Sequence, residues 1–149
     1  MDYTFSDDPG LVDLDVVHAY LAEESYWARG IPRAVLERAV ANSLCIGAYL
    51  PGGELAAFAR VVTDRATFGW LCDLFVVPAH RGRGLGRQLV RAVHAHPDLQ
   101  GLRRFMLATA DAHGLYRGEG YGPVQPELLM EISYPPERVY PADQLPVER

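Results

Sequence analysis

Three glycines fall within residues 82–86, between a long apolar segment and a segment with helical spacing. The apolar segment, residues 67–77, predicts a strand, and Pro78 ends it because proline cannot donate to a ladder. Apolar residues at helical spacing predict a helix over 85–96. Glycine lets the backbone turn tightly and approach a ligand, and the unpaired N–H groups at a helix start favour an anion. This strand–loop–helix unit therefore predicts a phosphate or pyrophosphate site.

The charge of the chain is unevenly distributed along the sequence. Residues 78–104 contain six arginines and one aspartate, a local balance of +5, whereas the whole chain has a net charge of −5. This difference indicates a localised anionic ligand and argues against a nucleic-acid interface. The chain contains no lysine, which excludes a nucleotide P-loop, and Arg87 and Leu89 stand where a dinucleotide fingerprint has its last glycine. An arginine-rich surface turn without a ligand is the alternative.

Length and composition limit the class of protein further. The 149 residues predict one domain, and 49% apolar residues are enough for a packed core. No apolar run is long enough for a membrane helix, which needs roughly 20 residues. The N-terminus lacks a signal-peptide pattern, and Cys45 and Cys72 fit neither a disulfide framework nor a zinc site. We therefore expect a cytoplasmic protein with no metal and no membrane contact.

The order of predicted elements indicates a mixed α/β fold. An antiparallel run of strands is followed by a strand–loop–helix–strand unit, whose crossover must be right-handed. Strands are predicted at 3–5, 44–50, 55–62, 67–77, 104–108 and 128–132, and helices at 11–24, from Pro32, at 85–96 and at 111–117.

Two motifs in this order resemble those of GNAT-type N-acetyltransferases. Residues 75–86 resemble the acetyl-CoA signature V-x-P-x-x-[QR]-x-x-G-x-[GA], and residues 114–121 look like its L-Y-x-x-x-G-[FY] segment. The resemblance covers about residues 1–133 as one domain and leaves 134–149 as a Pro-rich C-terminal tail. The signature is met by Val76, Pro78, Arg81, Gly84 and Gly86.

The resemblance implies a fold and a donor substrate. The fold would be a single GNAT-like α/β domain with a mixed, mostly antiparallel sheet, splayed at the acetyl-CoA strand and flanked by helices. The loop amides would hold the CoA pyrophosphate, and the backbone of the preceding strand would pair with the pantetheine arm. It implies contacts with acetyl-CoA at Phe75, Val76, Val77, Arg81, Gly82, Arg83, Gly84, Leu85, Gly86, Arg87, Thr109 and Tyr116.

The same resemblance suggests catalytic residues for direct acetyl transfer from acetyl-CoA to an amine. Tyr116 matches a tyrosine that relatives often use as general acid toward the CoA sulfur. Where many relatives carry a glutamate base, this chain has Cys72, so that Asp73 is the remaining carboxylate. An acid in an apolar strand must face solvent, pair with an arginine or lie in the cleft. Thr109 occupies the position of a pantetheine-binding asparagine in relatives.

The acceptor is expected to be a primary amine of a small molecule. Tyr26 and Trp27 fall where relatives place the acceptor-binding loop, and an aromatic wall would suit a cationic amine. Asp73 and His113 are further candidate contacts. A monomer and a homodimer are both compatible with the sequence. The missing glutamate leaves a second function open, that of a non-catalytic acyl-CoA-binding or sensor module.

Overall fold

The structure, a computed structural model, describes residues 2–140. Its sheet contains five strands in sequence order, antiparallel from the first to the fourth, with the fourth and fifth parallel. This is the mixed α/β arrangement that the sequence predicts. The strands are β1 (Thr4–Ser6), β2 (Leu44–Tyr49), β3 (Leu55–Thr63), β4 (Phe68–Val76) and β5 (Arg104–Leu107).

The four predicted helices occur in the predicted order, but the first and the fourth begin later than predicted, and a short fifth helix was not predicted. The first begins at Leu14 rather than at residue 11, because the Asp13 carboxylate accepts from the N–H of Val16 at 3.2 Å and caps it. A π-helical turn over Tyr20–Glu24 continues it. No helix within residues 2–140 is both long and apolar enough to cross a membrane. The helices are α1 (Leu14–Ala19), α2 (Arg33–Ala41), α3 (Leu85–Ala95), α4 (His113–Gly118) and α5 (Pro136–Val139).

The described residues form two compact units. Residues 2–12 and 42–121 form the first, which contains the whole sheet with α3 and α4. Residues 13–41 and 122–140 form the second, which contains α1, α2 and α5. In the second unit the buried Ser25 hydroxyl donates to the carbonyl of Leu21 at 2.6 Å and accepts from the N–H of Ala28 at 3.1 Å.

The core of the sheet unit lies between α3 and one face of the sheet. One side of α3 is buried because its apolar residues recur at helical spacing and cover alternate residues of β2 and β3. This packing fixes where α3 begins, and therefore where the glycine loop lies. The buried residues of α3 are Leu85, Leu89, Val90 and Val93, and their sheet partners include Leu44, Ile46, Ala59, Val61 and Leu71.

β4 changes its pairing part-way along its length. Arg60 of β3 pairs with Cys72, but Phe58 pairs with Phe75, so β4 holds one extra residue there and forms a β-bulge. Asp73 lies in this bulge with φ +53°, in the left-handed region. The pairing of β4 with β5 ends at Leu71, although β4 continues to Val76. The predicted splay of the sheet at this strand is confirmed.

The predicted strand over residues 128–132 is wrong. A 3₁₀ turn occupies Pro126–Leu128, and no strand occurs between residue 122 and α5. The alternating apolar residues Leu128, Met130 and Ile132 gave a strand pattern, but their side chains are exposed. An alternating pattern forms a strand only where a neighbouring backbone completes the ladder. Within the predicted tail of residues 134–149, α5 spans Pro136–Val139, and residues 141–149 lie outside the described part.

Candidate functional site

A cavity of about 340 Å³ opens where the glycine loop enters α3. Gly84 precedes the helix with φ +74°, and a Cβ added there would point into open space. The loop brings its arginines and the first amides of α3 to one place, where no capping side chain occupies those amides. Such a cavity can hold an anion. Its walls are formed by Val76, His80, Arg81, Gly82, Gly84, Leu85, Gly86, Arg87 and Leu115.

Two arginines of the cavity are oriented by partners within the sheet unit. The Nε of Arg81 donates to the carbonyl of Val76 at 3.2 Å. Arg87 pairs with Glu119 at 3.4 Å, and Arg91 pairs with the same carboxylate at 3.2 Å. The Glu119 side chain is only 9% exposed, whereas Arg87 is half-exposed, so the cation reaches solvent while its partner is held. Sequence reasoning missed Glu119, which follows α4 and approaches α3 only in the folded chain.

His80 lines the cavity, and sequence reasoning did not single it out. Its Nδ1 lies 2.9 Å from the hydroxyl of Tyr3, and the two rings meet edge to face. His80 is buried, and it ends the 3₁₀ turn that leads from β4 into the glycine loop. The contact with Tyr3 therefore anchors the loop to the segment just before β1. The available signal was its position directly before Arg81 in the motif.

The predicted contacts on β4 face different environments. The side chain of Val76 lines the cavity. Phe75 is buried against Phe58, with ring centroids 6.0 Å apart, and the N–H of Val77 donates to the carbonyl of Ala56 at 2.9 Å. Phe75 and Val77 therefore contribute to the packing and pairing of β4 with β3. Arg83 is exposed on the loop but is not among the residues that line the cavity.

Tyr116 lies in α4 next to Leu115, which lines the cavity. The Tyr116 ring is 9% exposed, belongs to the core between α3 and the sheet, and meets the ring of Tyr121 at 5.8 Å. Burial raises the pKa of Tyr121, whose hydroxyl lies 2.8 Å from His94. The hydroxyl oxygen of Thr109 accepts from the N–H of Ala112 at 3.0 Å, so Thr109 fixes the loop that enters α4.

Asp73 forms a buried ion pair. Its Oδ2 accepts from the Nε of Arg60 at 2.7 Å, and Arg60 also donates to the hydroxyl of Ser43 at 3.0 Å. The side chains of Arg60 and Asp73 are 17% and 7% exposed. Of the three environments that the sequence left open for this acid, the one observed is pairing with an arginine. Asp73 does not line the 340 Å³ cavity.

The two cysteines flank Arg60 across the sheet. Cys45 of β2 and Cys72 of β4 both pair in register with Arg60, so the three side chains share one face. Burial raises the pKa of the Cys45 thiol to about 11 and that of the Cys72 thiol to about 12. Because the thiolate is the nucleophile, these raised pKa values favour the protonated, weakly nucleophilic form of both thiols at neutral pH.

The remaining predicted residues lie apart from the glycine loop in sequence. Tyr26 and Trp27 belong to the second unit, where their rings meet edge to face at 5.0 Å and Tyr26 is half-exposed. His113 begins α4 and is exposed. Among residues 2–140 there is no group of three or more metal-ligating side chains placed to hold an ion.

Residues 14–121 match the family model of the acetyltransferase (GNAT) family. The chain belongs to the GNAT family. The match spans the sheet from β2 to β5, the glycine loop, the cavity and both predicted motifs. The family resemblance of the sequence is therefore confirmed.

Two known proteins are similar to this GNAT chain over most of its length. A crystal structure of a candidate GNAT-family acetyltransferase from Xanthomonas campestris pv. campestris is 49% identical, with a TM-score of 0.88, and covers 91% of this chain and 96% of its own. A Gibberella zeae protein named as a candidate acetyltransferase is 32% identical in an alignment of 136 positions that covers 77% of this chain and 76% of its own.

A more distant GNAT-like structure shares the fold alone. A predicted acetyltransferase from Clostridium acetobutylicum, solved with acetyl-CoA, is 12% identical and has a TM-score of 0.63. It covers 89% of this chain and 95% of its own. The fold of this GNAT protein is thus shared with a protein of very different sequence.

Proposed function

We propose that this GNAT protein transfers an acetyl group from acetyl-CoA directly to a primary amine of a small molecule in the cytoplasm. The observation that carries the proposal is the cavity at the start of α3. No side chain caps the first amides of the helix there, and Arg81 and Arg87 line the cavity. A pyrophosphate fits such a site because helix-start amides and guanidinium groups both bind phosphate oxygens strongly.

The donor would lie with its phosphates at the glycine loop and its pantetheine arm along β4. The amides of Gly84 to Arg87 and the side chains of Arg81, Arg83 and Arg87 would hold the pyrophosphate. Support for the pantetheine path comes from the splay, since β4 beyond Leu71 has no partner in β5. The thioester would then lie beside the bulge that contains Asp73.

Direct transfer needs two proton movements. The amine nitrogen attacks the thioester carbon, the new C–N bond forms, and the C–S bond breaks to release CoA thiolate. Asp73 would take the amine proton, directly or through one water, and Tyr116 would give a proton to the sulfur. The ion pair with Arg60 holds Asp73 in one orientation. The raised pKa values of Cys45 and Cys72 support direct transfer over an acyl-cysteine intermediate.

The acceptor is proposed to be a small cationic amine. Tyr26 and Trp27 offer aromatic faces for a cation, and His113 is exposed at the start of α4. We also propose that Thr109, in the loop that enters α4, contacts the acetyl-CoA donor.

Two measurements on the full chain test this function. Calorimetry with acetyl-CoA should give saturable binding, and a thiol-release assay over a panel of small primary amines should give steady turnover with some members. Binding without turnover across the panel would favour the acyl-CoA-binding module. Failure to bind acetyl-CoA in calorimetry would overturn the donor assignment itself.

A further inference from the structure

One face of β4 and β5 is apolar and partly open to solvent. Leu71 of β4 belongs to the core below α3, so its neighbours Trp70 and Cys72 lie on the opposite face of the sheet. The register places Val62 of β3 and Met106 of β5 beside Trp70 on that face. We call Val62, Trp70 and Met106 the apolar strip.

The apolar strip is exposed at one end and leads to a buried group at the other. Phe68, where β4 begins, is 36% exposed, and Val62 is 42% exposed. Trp70 and Met106 are half-buried, and Asp73, farther along β4, is buried. Exposed apolar side chains that lead to a buried polar group are typical of a ligand-binding groove.

The buried end of the strip is the bulge of β4. The Asp73 carboxylate lies 2.7 Å from Arg60, which pairs in register with Cys72, so the ion pair lies on the same face as the strip. Trp70 and Met106 are the last pair on this face before β4 and β5 separate. Trp70 precedes Asp73 by three residues, which is at most about 10 Å of strand. A small molecule with its reacting nitrogen at the bulge would therefore contact the strip.

The carboxylates at the two ends of the strip both have partners. Asp73 is paired with Arg60, and the Asp64 carboxylate accepts from the N–H of Phe68 at 3.2 Å. Arg104 of β5 is exposed beside Phe68 and adds positive charge at the open end. A second ammonium group on a ligand would lose hydration on the strip and would be repelled at its end.

From these observations we propose that the acceptor is a primary amine with one positive charge and an apolar body, which packs on the apolar strip while its nitrogen lies at the bulge. This inference rests on the proposed function, in which the thioester lies beside the bulge. Apolar surroundings lower the pKa of a bound ammonium group and so favour the free amine that attacks the thioester. Diamines and polyamines are disfavoured by the same surface.

A matched pair of amines tests this class in the thiol-release assay on the full chain. The amines n-hexylamine and hexamethylenediamine have the same carbon chain, and only the second has another ammonium group. We expect kcat/KM to be at least about tenfold higher for n-hexylamine. Comparable kcat/KM values for the two amines would overturn the proposal.

Trp70→Ala tests whether the strip is the source of this selectivity. KM for n-hexylamine should rise about tenfold with kcat nearly unchanged, because binding of the apolar body is lost. Values for hexamethylenediamine should hardly change, and Trp70→Phe should restore most of the selectivity. Leu11→Ala is the matched control, at a 49% exposed apolar residue in a 3₁₀ turn outside the sheet. A folded Trp70→Ala enzyme with wild-type selectivity would contradict the proposal.

Methyl NMR of the wild type gives a readout that needs neither turnover nor a variant of Trp70. With CoA present, n-hexylamine should shift the methyl signal of Met106, assigned with Met106→Leu, and leave that of the fully exposed Met130 unchanged. An unchanged Met106 signal would overturn the proposal. A shifted Met106 signal without turnover of any amine would instead contradict the transferase function, and the site for an apolar amine would stand.

Discussion

The arginines of the glycine loop and the arginine of β3 are held in opposite ways. Arg81 and Arg87 border an open cavity and keep contact with solvent, although each has a partner that orients it. Arg60 is mostly buried, and its charge is matched by a buried carboxylate at 2.7 Å. The first arrangement leaves positive charge available for an anion. In the second, the charge of Arg60 is already neutralised by Asp73 within the sheet.

This difference follows from the energetic cost of burial. Arg87 is half-exposed and Glu119 also pairs with Arg91, so Arg87 can exchange Glu119 for a phosphate without leaving the buried carboxylate unpaired. A buried ion that loses its partner is costly, so Arg60 and Asp73 keep each other in place. Asp73 also occupies a left-handed backbone position in the bulge, two residues beyond the last residue of β4 that pairs with β5. The exposed arginines of the loop are thus available to bind an anion, whereas the buried pair of Arg60 and Asp73 stabilises the strands beside the site.

The largest expected effect is at the loop. Gly84→Val should abolish acetyl-CoA binding in calorimetry, because the new side chain would occupy the open space above the loop at φ +74°. Gly101→Val is the matched control, since Gly101 has φ +72° and open space too, but lies outside the cavity. Equal acetyl-CoA affinity in the two folded variants would contradict the assignment of the loop.

Removal of the buried cation should lower stability most. Arg60→Leu leaves Asp73 buried without its partner, and the free energy of unfolding should fall by about 3–5 kcal/mol in denaturant titration. The exposed Arg83→Leu should change stability by less than about 1 kcal/mol and weaken acetyl-CoA binding by about 1–3 kcal/mol. If both variants lost stability equally, the distinction between the two kinds of arginine would fail.

Asp73→Asn tests whether the buried carboxylate also moves a proton. Asparagine tolerates the left-handed backbone, so the bulge should survive. The rate should fall by about 10²-fold, and the acidic limb of the kcat/KM profile should disappear. The neighbouring Cys72→Ala is the control and should stay active, because its thiol is protonated at neutral pH. An Asp73→Asn enzyme with lower stability but an unchanged pH profile would leave Asp73 a purely structural ion.

Tyr116→Phe should have a smaller effect. The ring stays in the core beside Tyr121 and only the hydroxyl is lost, so acetyl-CoA affinity and stability should stay near wild type. We expect kcat to fall by about 10-fold in the thiol-release assay if this hydroxyl protonates the leaving sulfur. Tyr121→Phe, which removes a hydroxyl from the same cluster, serves as the control. An unchanged kcat would assign Tyr116 to packing alone.

The smallest effect concerns His94, a half-buried imidazole whose surroundings favour the neutral form. Burial lowers the pKa of His94 below its ordinary value of 6.5. Below about pH 6.5 the unfolded chain therefore takes up a proton more readily than the folded chain, and stability falls as the pH falls. His94→Gln should reduce this slope in unfolding titrations between about pH 6.5 and 5, whereas His113→Gln, at an exposed site, should not. Parallel slopes in all three proteins would contradict the assignment.

Local patterns were sufficient for most elements and for the glycine loop. The signals that predict these elements each span only a few residues: strand alternation, helical spacing, Pro78 and the glycines. The bounds of β2 to β5 and of α3 are therefore close to the predicted ones. The family motifs lie within such local segments, and the family match confirms them. The C-terminal strand prediction failed because a strand also needs a partner, which no local pattern supplies.

The sequence by itself determined the strand–loop–helix unit, the basic stretch around it and the family of the chain, because each depends on residues adjacent along the backbone. Only the tertiary structure decided the partners: Arg60 for Asp73, Glu119 for Arg87 and Tyr3 for His80. These pairs join residues from 13 to 77 positions apart. Sheet register and helix packing bring them together, and no spacing within a single element encodes that proximity.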